Sequence, residues 1–479
     1  AQGRFLSKGS RPLGTTQSPA TPPMTFKPTE EDCVELFCEL LRFKTISYEG
    51  HRTGENVACV KFLDDLLTKV GFKTQILPGP ATQCKEGEKP VLIGTLLGSK
   101  PELPAVLLNS HYDVVPIMAE HWTRPAWEGK RIMEEGEERI YGRGAQDDKC
   151  ITLQYILALA SLKASGFQPT RSVVYTVVPD EEVGGAGMTW LMEQPEFQQL
   201  NVGVALDEGL ANPDPETFTS FYGERSAWWF LVNAKGPTGH GSRFIEGMAT
   251  HCLTAFSQQA WNYRKEQKAR LGLGEGCQHC EAKKLGDVTT INLTMMSAGV
   301  TPDGGKTYNL NVIPTEAKAG FDMRIAVDSP LLDVKAMVDG WCRAAEKEVG
   351  APEGSLTMGT AVSNPLPMVH AVSDTEKSLW WDTFSNAVAT SIPGGVKVSK
   401  EIFPAGTDSR FLRNIGIPAF GFSPMRGCPV LLHEHDEYLP RKQFLEGIQV
   451  YCKLIPALTE LEPFKGDEGR PCKKARVAN

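Results

Sequence analysis

The sequence lacks the features that would place it among membrane, nucleic-acid-binding or disulfide-stabilised proteins. No apolar run approaches the roughly 18 residues that a membrane-spanning helix needs. It has no basic patch with interleaved aromatic residues, and its net charge of -8 disfavours a nucleic-acid partner. Its 12 cysteines are sparse for 479 residues and scattered through apparent helices and strands. We therefore expect no membrane and no nucleic-acid partner, reduced thiols and a cytoplasmic location.

Two local segments are also defined by what they lack. Residues 1–29 contain no acidic residue, and their basic residues stand among Ser, Thr, Gly and five prolines. This composition favours a flexible tail or the remnant of a transit peptide. Cys277-Gln278-His279-Cys280 has the spacing of half a zinc finger, but no second ligand pair follows at a suitable distance. We expect a Gly-rich loop over 271–280 instead.

The sequence does contain what a sizeable globular enzyme needs. Its 479 residues, of which 41% are hydrophobic and 23% charged, predict two or more domains. Helical patterns alternate with short apolar, β-branched runs, which indicates an α/β fold. The predicted helices span 30–43 with Thr29 as N-cap, 56–70 ending at Gly71, and 151–164, and the predicted strands span 105–109, 172–178, 202–206 and 418–423.

Polar segments lie at, beyond or near the ends of these strands. Because side chains from the ends of several strands converge in α/β proteins, we expect these segments to form one site. They are Ser110-His111-Tyr112-Asp113, Gly144-Ala145-Gln146-Asp147-Asp148-Lys149, Pro179-Asp180-Glu181-Glu182-Val183-Gly184-Gly185 with Leu206-Asp207-Glu208-Gly209, and Leu432-His433-Glu434-His435-Asp436-Glu437.

The residue types in these segments predict a two-metal hydrolase. A buried, unpaired carboxylate costs several kcal/mol, so grouped Asp and Glu side chains need a compensating cation. Two imidazoles with three or more carboxylates suit zinc or a similar borderline metal, whereas calcium and magnesium prefer oxygen ligands.

The spacing of two residue pairs assigns parts of the chemistry. Adjacent Glu181 and Glu182 point different ways, so one can bind metal while the other faces a metal-bound water. Such a water is acidified toward a pKa of about 7. Glu181 would then take its proton and pass it to the leaving amine. Residues i and i+2 of a strand share a face, so Asp113 is expected to reach and orient the imidazole of His111.

Five sequence strings carry a resemblance to a known family. They resemble the dinuclear zinc peptidase and amidohydrolase family, and most closely its aminoacylase branch, over roughly residues 30–458. The strings are Gly-Ala-Gln-Asp-x-Lys-Cys at 144–150, Val-Pro-Asp-Glu-Glu-Val-Gly-Gly at 178–185, Ala-Leu-Asp-Glu-Gly at 205–209, Pro-Ala-Gly-Thr-Asp-Ser-Arg-Phe-Leu-Arg at 404–413 and Leu-Leu-His-x-His-Asp-Glu at 431–437.

For the metal centre, the resemblance implies two Zn²⁺ ions per subunit with one shared ligand. Asp147 would bridge both ions, His111 and Glu208 would complete one site, and Glu182 and His433 the other. The resemblance also makes Glu181 the general base and Asp113 the partner that orients His111. It further implies a cis peptide bond between Asp147 and Asp148.

The resemblance also implies an inserted lid domain that dimerises. Composition and this resemblance together divide the chain into a tail (1–29), a catalytic domain with a central mixed sheet in two parts (30–224 and 362–479), and a smaller α+β lid (225–361). His240 would reach into the partner subunit's site of a homodimer to hold the developing oxyanion. Asn311 and Arg324, expected in lid strands, would contact substrate together with Gly406 and Arg410. The guanidinium fork of Arg410 fits a substrate carboxylate.

These expectations predict hydrolysis of N-acyl-L-amino acids to a carboxylic acid and a free L-amino acid. One alternative is a metallo-carboxypeptidase or dipeptidase on the same dinuclear site. A second is a binding protein that keeps the fold and metal without catalysis, and the intact Glu181 argues against it.

Overall fold

The structure is a computed structural model that describes residues 26–81, 87–271, 283–360 and 365–465. Most of the predicted tail, the Cys277–Cys280 segment and the predicted boundary at 361/362 lie outside the described residues.

Helices and strands alternate through the first part of the chain, as the sequence predicts. In chain order they are α1 (Glu30–Arg42), α2 (Gly50–Thr53), α3 (Glu55–Val70), β1 (Lys73–Leu77), β2 (Val91–Leu96), β3 (Ala105–His111), β4 (Lys130–Glu134), β5 (Glu137–Tyr141), α4 (Lys149–Ala164), β6 (Val173–Val178), α5 (Ala186–Glu193), α6 (Pro195–Gln198), β7 (Val202–Asp207) and β8 (Thr217–Glu224).

The middle and last parts add a second set of elements. The middle part contains β9 (Ser226–Lys235), β10 (Gly239–His240), α7 (Ala249–Ala269), β11 (Thr290–Ala298), β12 (Val312–Ile313), β13 (Glu316–Ile325), α8 (Leu331–Glu348) and β14 (Leu356–Thr360). The last part contains α9 (Leu379–Ala389), β15 (Lys397–Phe403), α10 (Ser409–Asn414), β16 (Ala419–Phe422), β17 (Tyr438–Pro440) and α11 (Arg441–Thr459).

Local sequence signals account for the helix ends. The Thr29 side chain accepts a hydrogen bond from the backbone N–H of Asp32, and the Asp32 carboxylate accepts one from the backbone N–H of Thr29. This reciprocal capping fixes the start of α1. Helix α3 ends before Gly71, which adopts φ 101°, a left-handed conformation that favours glycine.

An eight-stranded mixed sheet positions the polar segments. Its order is β1-β2-β6-β3-β7-β16-β8-β15, and β6, β3, β7 and β16 are parallel neighbours. The carboxyl ends of parallel strands lie at one edge of a sheet, so the residues that follow β6, β3 and β7 meet there. His111 at the end of β3 is in register with Val178 at the end of β6. The predicted α/β fold with a central mixed sheet is confirmed.

A second sheet belongs to the middle part of the chain. Its order is β11-β13-β9-β14, and every neighbouring pair is antiparallel. Helices α7 and α8 pack on it around a separate apolar core that includes Phe230, Phe256, Phe321 and Val338. We use the name lid for residues 225–361, the bounds predicted above. Within the described ranges, no helix is long and apolar enough to cross a membrane.

Candidate dinuclear metal centre

Five side chains predicted as metal ligands meet at the carboxyl edge of the large sheet. One cluster contains His111, Asp147 and Glu208, and the other contains Asp147, Glu182 and His433. Within each cluster, the candidate ligand atoms lie within 4.8 Å of one another. Asp147 belongs to both clusters, which is the position that a bridging carboxylate needs.

The two oxygens of Asp147 face different histidines. Its Oδ1 lies 3.1 Å from Nε2 of His111, and its Oδ2 lies 3.3 Å from Nε2 of His433. Glu208 Oε2 lies 3.5 Å from Nε2 of His111, and Glu182 Oε2 lies 2.8 Å from Nε2 of His433. Each half therefore offers one ring nitrogen, one oxygen of Asp147 and one glutamate oxygen.

The donor set fits two divalent cations. Burial and then the nearby Asp147 raise the pKa of Glu182 to about 7. Burial and Asp147 also raise the pKa of Glu208 well above its usual range. These carboxylates crowd together at 4% and 9% side-chain exposure, so they need a cation to ionise together. Mixed imidazole and carboxylate donors are those of zinc and similar metals.

Glu181 lies beside both clusters but belongs to neither. Its side chain is 9% exposed, and Oε1 lies 3.9 Å from Nη1 of Arg410. Burial, then the neighbouring Asp408 carboxylate, raises the pKa of Glu181 well above its usual range, while His111 and Arg410 lower it. A buried carboxylate that is not a ligand, next to the ligand Glu182, is placed to hold or move a proton.

The backbone before Glu181 is held by two carboxylates. Asp180 has φ 65°, a left-handed conformation uncommon for a residue with a side chain, and its Oδ2 accepts a hydrogen bond of 2.7 Å from Nζ of Lys89. The backbone N–H of Glu181 donates to Oδ1 of Asp113 at 3.1 Å. Lys89 and Asp113 therefore orient the turn that carries Glu181 and Glu182.

Asp113 lies against His111, as expected, although β3 ends at His111, two residues before Asp113. Nδ1 of His111 lies 2.9 Å from the backbone carbonyl oxygen of Asp113 and 3.6 Å from its carboxylate. Donation from Nδ1–H to that carbonyl leaves Nε2 free to face the cluster. The carboxylate of Asp113 accepts from Glu181 N and from Oγ of Ser47.

Glu437 connects the loop of Asp147 to the segment of His433. Its buried carboxylate accepts hydrogen bonds from Nη1 of Arg143 at 2.7 Å and from the backbone N–H groups of Gly144 at 3.0 Å and Gln146 at 2.6 Å. The peptide bond between Asp147 and Asp148 is cis, as the resemblance implies. His435, by contrast, points away and stacks on His121 with ring centroids 5.0 Å apart.

The predicted substrate residue Arg410 lies beside Glu181, and Gly406, the other predicted one in this segment, lies against Arg410. Nη1 of Arg410 donates to the carbonyl oxygen of Thr407 at 2.9 Å, and its guanidinium covers the ring of Phe411 at 4.4 Å. A Cβ on Gly406 would lie 2.8 Å from Nη1 of Arg410. Glycine therefore allows the loop to approach the guanidinium closely.

His240, Asn311 and Arg324 lie in the lid, and none of their recorded hydrogen bonds or ion pairs reaches the two clusters. The exposed His240 forms a hydrogen bond of 2.8 Å between its Nδ1 and Oγ of Ser242. Its strand, β10, pairs with β12. Arg324 in β13 donates to the Asp322 carboxylate at 2.8 and 3.1 Å. The placement of Asn311 in a lid strand was wrong, because it lies in a turn just before β12.

Comparison with known proteins assigns the family. The model for peptidase family M20/M25/M40 matches residues 107–457. The chain belongs to this family.

The family's aminoacylases are similar to nearly the whole chain. Aminoacylase-1 of Dictyostelium discoideum is 38% identical over 438 residues, which is 90% of this chain and 99% of that protein. Human aminoacylase-1 is 37% identical over 450 residues, covering 93% and 100%. Among solved structures, a dinuclear metal-binding M20 peptidase from Bacillus subtilis superposes with a TM-score of 0.60 at 18% identity, covering 90% and 98%. That last likeness shows the fold alone.

Sequence reasoning missed two residues that hold this M20 site together, Lys89 and Glu224. It also missed the role of a third, Glu437. All are buried or half-buried charged groups whose partners lie far along the chain, such as Lys89 and Asp180. One signal was available for Glu224. Two adjacent charges, Glu224 and Arg225, follow the strand-like segment 217–223, and charges between two buried strands need partners.

Proposed function

We propose that this chain hydrolyses N-acyl-L-amino acids to a carboxylic acid and a free L-amino acid at the dinuclear centre. The observation that carries the proposal is the pairing of Asp147 with both histidines beside a buried glutamate, Glu181, that is not a ligand. Similarity to the aminoacylases over nearly the whole chain supports the substrate class.

Each residue has one proposed role in the reaction. His111, Asp147 and Glu208 would hold one divalent ion, and Asp147, Glu182 and His433 the other. Ions bound there would supply Lewis acidity for the amide carbonyl and for water. Glu181 takes a proton from the attacking water and gives it to the leaving amine, a transfer typically worth about 10²- to 10⁴-fold in rate. Arg410 binds the substrate carboxylate through its guanidinium fork. Gly406, which has no side chain, leaves the space for this guanidinium.

Zinc is the proposed metal, because its preferred donors are the two imidazoles and three carboxylates of the centre. The proposed location is the cytoplasm. The eight free cysteines of the described residues, seven of them buried, support a reducing compartment.

We further propose a homodimer in which His240 of the partner subunit completes each site. Support comes from the free edge of the lid sheet, β11, which exposes Leu293, Met295 and Met296 at 45%, 37% and 54%. An exposed apolar edge strand is a template for pairing with another chain. His240 is itself exposed, and its ring contacts the hydroxyl of Ser242. Asn311 and Arg324 of the lid are proposed to contact the substrate.

A substrate panel tests the activity. The zinc-loaded protein is offered N-acetyl-L-methionine, N-acetyl-D-methionine and a set of dipeptides at equal concentration. We expect the highest kcat/KM for the N-acetyl-L-amino acid, and a preference for dipeptides would favour the carboxypeptidase or dipeptidase alternative. The matched control is Glu434→Gln, a change of the exposed residue beside His433, and its kcat/KM values should equal those of the parent.

A further inference from the structure

The two sheets are joined by a short buried junction. Strand β8 ends at Glu224, β9 begins at Ser226, and Arg225 is the single residue between them. Both Glu224 and Arg225 are buried, at 2% and 6% exposure. Neither belongs to the two ligand clusters, so a metal ion does not explain these buried charges.

Glu224 holds the loop that precedes Arg410. Its Oε1 accepts a hydrogen bond from the backbone N–H of Thr407 at 3.3 Å, and its Oε2 accepts one from Oγ1 of Thr407 at 3.0 Å. Oε2 also accepts from Nη1 of Arg413 at 3.0 Å. Both the main chain and the side chain of Thr407 are therefore fixed by one carboxylate.

Arg225, the first residue of the lid, connects the same loop to the start of lid strand β11. Its Nε and Nη2 donate to the carbonyl oxygen of Pro404 at 2.9 and 2.5 Å. Its Nη1 donates to the carbonyl oxygen of Val288 and to Oγ1 of Thr290, both at 3.1 Å, at the start of β11. These acceptors are neutral oxygens, so ion pairing does not explain why a guanidinium is buried here. A rigid, planar set of donors does explain it, because such a group can join three segments at fixed positions.

Thr407 passes this positioning on to Arg410. The carbonyl oxygen of Thr407 accepts from Nη1 of Arg410 at 2.9 Å, and Oε1 of Glu224 lies 4.0 Å from the same nitrogen. A Cβ on Gly406 would lie 2.8 Å from that nitrogen and 3.4 Å from Oε1 of Glu224. The loop and the guanidinium are packed so closely that a shift of one requires a shift of the other.

We infer that Glu224 and Arg225 are positioning residues that set the place of Arg410 and couple it to the lid. Lid strand β11 contacts Arg225, Arg225 contacts Pro404, Glu224 contacts Thr407, and Thr407 contacts Arg410. Displacement of the lid therefore moves the group that receives the substrate carboxylate. This inference rests on the proposed function, specifically on the role of Arg410.

A double-mutant cycle tests the inference with N-acetyl-L-methionine as substrate. Arg225→Met keeps a long apolar side chain but removes all four bridging hydrogen bonds, and Arg410→Lys keeps the charge but removes the fork. We expect Arg225→Met to raise KM about 10-fold while kcat changes little, since substrate binding rather than proton transfer is disturbed. In the double variant, Arg225→Met should raise the KM of Arg410→Lys by less than about 3-fold, because both changes break the same chain of contacts. Two bound metal ions and a single cooperative melting transition should accompany these effects.

Lys284→Met is the matched control. Lys284 also bridges the lid to the catalytic part, through Ser399 and Glu401 of β15, but does not contact the Pro404–Thr407 loop. Its KM should stay within about 2-fold of the parent, alone and combined with Arg410→Lys. Equal losses in Lys284→Met and Arg225→Met would overturn the inference.

Other outcomes separate the inference from the proposed function. Independent, multiplying effects of Arg225→Met and Arg410→Lys overturn the coupling but leave the activity proposal standing. An unchanged KM in Arg410→Lys itself would instead reject the proposed role of Arg410. Should Arg225→Met not fold, Thr407→Val removes only the hydroxyl that donates to Glu224. The same non-additivity with Arg410→Lys is then expected, and its absence again overturns the inference.

Discussion

Glu181 and Glu182 are adjacent in the chain and face different partners. Oε2 of Glu182 lies 2.8 Å from Nε2 of His433, whereas Oε1 of Glu181 lies 3.9 Å from Nη1 of Arg410. The 3-10 turn Glu181–Val183 directs the two side chains apart just beyond β6. One carboxylate thus joins a ligand cluster while its neighbour stays outside both clusters.

Removal of single ligands should empty the centre in a graded way. His111→Ala and His433→Ala each remove one donor from a different cluster, so each should retain about one ion per chain. Asp147→Ala removes the shared donor and should retain less than one. Metal analysis after dialysis checks this, with His435→Ala as the control because its ring stacks on His121 outside both clusters. Two ions in Asp147→Ala would contradict the assignment of the bridge.

Loss of the Glu437 carboxylate should weaken metal binding without removing a ligand. Glu437→Gln leaves the charge of Arg143 without its partner and loosens the backbone before Asp147. Groups that orient ligands typically contribute about 10- to 100-fold to metal affinity. Competition with a chelator should show a loss of that size, and Glu434→Gln should show none. An unchanged affinity in Glu437→Gln would mean that the loop holds Asp147 by itself.

The ligand set was the part of the site that the sequence predicted best. His111 ends β3 and Glu182 lies four residues beyond β6, and these neighbouring parallel strands bring their carboxyl ends together. One local expectation held in part. The Asp113 carboxylate faces His111, 3.6 Å from Nδ1, but the backbone carbonyl of Asp113 makes the shorter contact at 2.9 Å.

The connections that orient the site could not be read from the sequence. Glu224 and Thr407 are 183 residues apart, and Gln146 and Glu437 are 291 apart. Nothing in a local pattern specifies such pairs, because they depend on which strands become neighbours. The turn that contains Asn311 was missed although a local signal was present. Residues 302–307 form bends and residues 310–311 a turn between β11 and β12, and Pro302-Asp303-Gly304-Gly305 is a sequence typical of such turns.

A charge on the lid's edge strand should separate the subunits. Met296→Arg places a charge on β11, where an exposed edge would otherwise pair with a second copy. Light scattering should give the single-chain mass of 52.5 kDa for the variant and twice that mass for the parent. Leu332→Arg, at an exposed apolar position on α8, is the control and should remain dimeric. A monomeric parent would refute the homodimer.

Two inactive variants should restore activity together. Dimers that combine Glu181→Ala with His240→Ala contain one site in which Glu181 of one subunit meets His240 of the partner subunit. Random reassortment should recover roughly a quarter of the parent activity, because half the dimers are mixed and half their sites are complete. The mixture is assayed after reversible dissociation, and native mass spectrometry verifies the mixed dimers. No activity from verified mixed dimers would show that His240 does not act across the interface.

Glu181→Gln tests the central claim most directly, because it changes proton transfer and leaves every proposed ligand in place. The measurement pairs kcat for N-acetyl-L-methionine with the metal content of the same sample. We predict a fall in kcat of about 10²- to 10⁴-fold with two ions still bound per chain. A variant that keeps near-parent kcat, or one that loses its metal, would contradict the account.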